Sequence, residues 1–224
     1  VDLITEQKLE RRERILAAAR ELFAERGYEG LTMRDLAAHC RVSVPTLYNQ
    51  FGGKDALLGA AALSHFEALL TRARIEGPGQ GHRRVIGTIE MCAGEIARLS
   101  DYHRALLRAF MGVSETAGLQ ASLAGQLTAE LGEALGQMRS GRQLAAWVSP
   151  GVLAERITVA CIGASVAWLL GGLDDRGLRA AMLHAAASMV LAGARGAARA
   201  DLEQVVQAAQ DVLAEGRGAS AVRA

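Results

Sequence analysis

The chain has 224 residues, enough for one medium domain or two small ones with a real core. Half of it is apolar, only 4% is aromatic and alanine makes up about a fifth, so helix is favoured and an all-β fold is disfavoured. A formal net charge of +1 argues against a broadly basic nucleic-acid binder and against a polybasic membrane anchor.

Residues 10–26 read as a first helix, with Ile15, Leu16, Ala19, Leu22 and Phe23 on one face and Gly27 just past its end. Thr32 opens a short second helix, and Asp35 three residues on completes a capping box. Ser43 is the expected N-cap of a third helix, with Pro45 in its first turn, where a missing N–H costs little. Gly52-Gly53 breaks the chain, and Lys54-Asp55 opens a long fourth helix to about Ile75. Gly77-Pro78-Gly79-Gln80-Gly81 is the clearest linker. Further helices are expected at about 82–99, from Asp101 as a cap, along the Leu119 to Met138 stripe, from Ser149-Pro150 to about Leu170, at about 177–194, and from an Asp201/Gln204 cap to about Glu215. The pattern is all-α, with nine to ten helices and no repeat.

Ile157 to Leu173 carries no charge over 17 residues, at the short edge of a membrane span. Its Thr158, Ser165 and glycines, and the charges that bracket it, read better as a buried or interface helix, so no membrane partner is expected. Val1 to Arg14 is charged and lacks a signal-peptide core. Cys40, Cys92 and Cys161 are isolated, the five histidines are scattered, and neither set has metal-ligand spacing. Buried thiols in a reducing, cytoplasmic setting, with no metal and no cofactor, are expected. No nucleophile with a base, no phosphate loop and no carboxylate pair suggests an enzyme.

Residues 32–51 have the spacing of a helix-turn-helix. Arg41 falls at the turn position that wants positive φ, usually met by glycine. At about 100° per residue, Leu47 and Phe51 of the third helix point inward. Pro45 and Asn49 point outward, flanked by Val44, Thr46, Tyr48 and Gln50. Asn can read adenine, Thr or Pro can touch a thymine methyl, and a Tyr hydroxyl suits a phosphate oxygen. Lys54 and Thr32, at helix starts, are candidate phosphate contacts. The candidate DNA-binding set is therefore Thr32, Arg34, Arg41, Ser43, Val44, Pro45, Thr46, Tyr48, Asn49 and Lys54. Residues 1–60 hold nine Lys/Arg and nine Asp/Glu, so any basic surface must come from placement.

Leu31-Thr32-Met33-Arg34-Asp35-Leu36-Ala37 and the run from Val42 through Leu57, preceded by Leu22-Phe23-Ala24-Glu25-Arg26-Gly27-Tyr28, resemble the tetracycline-repressor (TetR) family of bacterial transcription regulators. The resemblance covers about residues 10–60. Arg41 replaces the usual Gly, Gln50 the common His and Gly53 the common Ser. It implies an N-terminal helix-turn-helix DNA-binding domain (1–54) and a helical ligand-binding and dimerisation domain (55–216), and the terminal residues 217–224 are expected to fray. It implies a homodimer that represses by binding a palindromic operator and is released by a small-molecule effector. The alternative is a helical interaction protein whose degenerate helix-turn-helix does not bind DNA.

For the dimer interface, small residues that permit close helix contact are the candidates: Ala160, Gly163, Ala164, Ala167, Gly171, Ala181, Ala185 and Met189. For an apolar or amphipathic effector, the candidate lining is Ile89, Ile96, His103, Phe110, Met111, Trp147 and Trp168. Arg83-Arg84 reads as a solvated face.

Overall fold

The computed structural model describes the backbone of residues 3–77, 79–112 and 117–221, and the side chains of 5–77, 79–108 and 118–216. Ten helices follow in order: α1 (Leu3–Arg26), α2 (Met33–His39), α3 (Val44–Phe51), α4 (Lys54–Glu76), α5 (His82–Arg98), α6 (Ser100–Gly112), α7 (Ala117–Ser140), α8 (Pro150–Leu169), α9 (Asp175–Leu191) and α10 (Ala197–Ala221). The described residues contain no strand, only an isolated bridge between Leu144 and Ala194.

By packing, the chain divides elsewhere than at 54/55. One compact unit takes residues 1–68 and 98–123, and the other 69–97 and 124–224. The first unit is built on α1, whose Ile15, Leu16, Ala19, Leu22 and Phe23 are fully buried. Leu36 and Ala37 of α2, Leu47 and Phe51 of α3, and Leu57, Leu58 and Ala61 of α4 close on that stripe. Tyr102 and Leu106 of α6 complete the same core from 40 residues further on. Periodicity within a helix shows which face is apolar but not which unit it packs into, so α6 could not be placed from sequence.

The second unit has an aliphatic interior. Ile89 of α5, Leu131, Leu135 and Met138 of α7, Ile157 and Trp168 of α8, Val190 of α9 and Leu202 of α10 are buried in it. Helix α9 lies between α8 and α10 and packs extensively on both. Two acidic side chains are buried here, Glu95 and Glu130. Glu130 is almost fully enclosed and accepts from Arg84 Nε at 2.7 Å and Arg74 Nε at 3.2 Å. Arg84 also reaches Glu133 at 3.0 Å. Arg84 is thus nine-tenths buried and corrects the solvated-face reading. Burial works against its charge, and the two carboxylates overcome that and raise its pKa.

Helix boundaries differ from expectation in three places. Helix α1 starts at Leu3, because Glu6 to Leu9 are good helix formers with no breaker among them. Helix α6 starts at Ser100, so Asp101 lies inside its first turn rather than capping it. Helix α10 starts at Ala197, one turn before the expected Asp201 cap, and runs to Ala221. Asp201 instead binds His82 Nε2 at 2.9 Å and Arg83 Nη2 at 3.2 Å. The His82 hydrogen bond, then Arg83, hold its carboxyl below the usual range. Residues 222–224 of the expected tail lie outside the described residues.

Candidate DNA-binding site

The site begins where α1 stops. Gly27 adopts φ 72° and ends the helix. Thr32 caps α2 from an extended backbone, and its Oγ1 accepts from Asp35 N–H at 3.2 Å. The Asp35 carboxylate returns the bond to Thr32 N–H at 2.9 Å and accepts the Thr32 hydroxyl proton. These bonds hold the Asp35 carboxyl below the usual range. The capping box therefore forms as read. Its consequence was not foreseen, because both Thr32 donors are spent inside the box.

Helix α2 ends at once. Arg41 takes φ 54°, and its N–H and that of Val42 bond back to the Ala38 and Ala37 carbonyls at 3.2 and 3.0 Å. The left-handed residue expected from the spacing is present, without glycine. Cys40 is buried and donates its Sγ–H to the Ile15 carbonyl at 3.6 Å. Ser43 then caps α3, accepting Thr46 N–H at 3.2 Å, and the two hydroxyls lie 2.7 Å apart. Only one proton can sit between those oxygens, so the other hydroxyl is free to donate outward. Pro45 lies in the first turn, and Gly52 at φ 85° ends the helix.

Leu47 and Phe51 anchor α3 to the core. Its outer face carries Pro45, Tyr48 and Asn49 exposed, with Val44, Thr46 and Gln50 half-exposed. Arg34 on α2 and Arg41 in the turn are exposed beside it, and no carboxylate among the described residues forms an ion pair with either. Lys54 is placed otherwise than expected. Its ammonium donates to the Tyr28 and Leu31 carbonyls at 3.1 and 3.0 Å and lies 4.0 Å from the Tyr28 ring centre. It ties the start of α4 to the segment before α2, so two of its three donors are committed to the protein. One cation that the sequence reading did not single out stands nearby: the Arg12 guanidinium lies 4.8 Å from the centre of the Phe51 ring.

The family model for bacterial regulatory proteins of the tetR family matches residues 15–61, the segment that builds this unit. This N-terminal segment is therefore similar to the DNA-binding domain of that family. Among curated relatives, the chain is 44% identical over 68 residues to the transcriptional regulator UidR of Escherichia coli, covering 30% of this chain and 35% of UidR. It is 32% identical over 130 residues to the transcriptional repressor KstR of Rhodococcus jostii, covering 56% of this chain and 59% of KstR. The matches thus span about a third of UidR and under two thirds of KstR. Among solved structures, the fold is similar to that of the tetR-family repressor FadR of Thermus thermophilus, in complex with lauroyl-CoA. The TM-score is 0.59 at 22% identity, over 76% of this chain and 89% of that one.

The remaining candidates are dispersed. Ile89 is buried and Ile96 half-buried on α5, in the second unit. Trp168 is fully buried there, its Nε1–H donating to Asp175 at 2.7 Å, while Trp147 is 74% exposed in the loop before α8. His103 belongs to the first unit, where it hydrogen-bonds the Leu99 carbonyl. The side chains of Phe110 and Met111 lie outside the described residues. Of the small residues proposed for an interface, Gly163 and Gly171 are exposed, and Ala160, Ala164, Ala167, Ala181, Ala185 and Met189 are half-buried. Larger side chains dominate the open side of α8: Val152, Val159, Ile162 and Leu170 are 47–73% exposed. Among the described residues no group of His, Cys, Asp or Glu is arranged to hold a metal ion.

Proposed function

We propose that the chain is a transcriptional repressor that binds a palindromic operator as a homodimer and releases it when a small molecule binds. The observation that carries the reading is the outer face of α3. It combines Asn49, Tyr48, Thr46 and Pro45, all short or hydrogen-bonding, on a helix whose cap, turn and core anchors are all in place. A degenerate helix-turn-helix would be expected to lose those caps or that polarity, and this one keeps both.

The operator contacts are Asn49, Thr46, Val44 and Pro45 toward base edges, and Tyr48, Ser43, Arg34 and Arg41 toward phosphates. Thr32 and Lys54 hold the reading unit in shape. The exposed stripe of α8, with the small residues between its large ones, is the surface a second copy covers. The effector is apolar or amphipathic. Support comes from the aliphatic interior of the second unit and from the lauroyl-CoA held by the similar FadR. Such a protein acts in the cytoplasm, where the operator is.

Selection from random oligonucleotides followed by gel shift tests the reading. The expected result is a palindrome whose binding Asn49→Ala weakens by about 1–3 kcal/mol, with relaxed preference at one base pair per half-site. Failure of the unaltered protein to select any sequence would refute it.

A further inference from the structure

Helix α3 has no charged side chain between Val44 and Phe51, so neutralising charge must come from its neighbours. Arg41 stands at its N-terminal end. At its C-terminal end the obvious cation, Lys54, is turned onto the Tyr28 and Leu31 carbonyls. The structure places another there. Arg12 of α1 lies with its guanidinium 4.8 Å from the ring centre of Phe51, the last residue of α3. Residues of a helix turn by about 100°, so Phe51 lies roughly 60° around the axis from Tyr48, with Val44 on the same flank. Arg12 therefore flanks the edge of α3 that carries the Tyr48 hydroxyl.

Its surroundings leave it available. Among the described residues no carboxylate or carbonyl pairs with Arg12. The adjacent Glu13 accepts a hydrogen bond from Ser64. Stacking uses the face of a guanidinium and leaves its in-plane N–H donors open. A stacked, half-buried Arg has already lost much of its rotamer freedom, so a phosphate captured there costs little further ordering.

We propose that Arg12 is a further operator contact, clamping a backbone phosphate on the Tyr48 flank of α3. This rests on the DNA-binding reading above. The test measures affinity of the full chain for its selected operator between about 0.05 and 0.2 M salt. For Arg12→Gln the log–log salt slope should fall by about 0.9 per half-site, with affinity about tenfold lower for every sequence alike. Arg12→Lys should restore the slope and part of the affinity. If the unaltered protein binds and Arg12→Gln keeps its slope, whether or not affinity drops, the clamp is overturned, because a merely structural Arg12 would not change the slope. No binding by the unaltered protein would overturn the regulator reading itself.

Discussion

On the proposed reading, Arg41 serves two ends that pull against each other. Its φ of 54° strains a non-glycine residue by about 1 kcal/mol or more. Arg41→Gly relieves that strain while adding roughly 0.5–1 kcal/mol of unfolded-chain entropy, so stability should hold or rise slightly. Operator affinity should fall, with a salt slope smaller by about 0.9 per half-site. Urea unfolding and salt-dependent binding on the same variant check this. Parallel losses in both would mean the Arg41 side chain holds the turn. The turn was legible in the sequence because its determinants are local. Ser43 and Thr46, Thr32 and Asp35, and the Arg41 N–H and Ala38 carbonyl are all three residues apart. The role of Lys54 was not legible, because the carbonyls that hold it lie 23 and 26 residues away and carry no side-chain signature.

Between elements, the joint of α5 with α7 rests on Glu130. Its carboxylate is almost wholly enclosed and serves both Arg84 and Arg74. Glu130→Ala leaves the nearly buried Arg84 guanidinium with only the exposed Glu133, which should cost about 3–5 kcal/mol in denaturant unfolding. Glu133→Ala, on the open side, should cost about 1 kcal/mol or less. Comparable losses from the two would contradict the central place given to Glu130. The same interior predicts thiol behaviour. Burial pushes Cys92 and Cys161 up to about 12 from an ordinary 9.0. In the native protein at pH 8 both are neutral, so a thiol reagent should label them only as fast as the chain opens. Rapid labelling without denaturant would show that the interior is accessible. Neither the Arg84 pair nor the Asp201 link to His82 could be read in sequence. Each joins residues 46 or more apart, and an isolated Arg-Arg or Asp-x-x-Gln is equally good as surface or as a cap.

At the scale of the whole molecule, α8 sets the oligomeric question. It is long and apolar enough to cross a membrane by length and composition, yet it packs on α9 and buries Ile157, Cys161 and Trp168 in the second unit. The sequence located this helix correctly and chose its small residues as the contact surface, because alanine and glycine at helical spacing are what close packing needs. Burial adds what periodicity could not separate on a helix that is apolar all round. Val152, Val159, Ile162 and Leu170 recur at intervals of seven, three and eight along the open side. A stripe of that kind on a lone subunit invites non-specific association, and on the proposed reading a second copy related by a two-fold axis would cover both stripes at once. Val159→Glu with Ile162→Glu should therefore give a monomer by sedimentation velocity, with helix content and melting temperature close to those of the unaltered chain. Such a monomer keeps the α3 face but loses the linkage of two half-sites, so affinity for the full palindrome should fall by about 10²–10⁴ while binding to a single half-site stays the same. A double variant that remains dimeric would move the interface off α8. One that turns monomeric yet binds the palindrome at full strength would mean that the two half-sites are read independently.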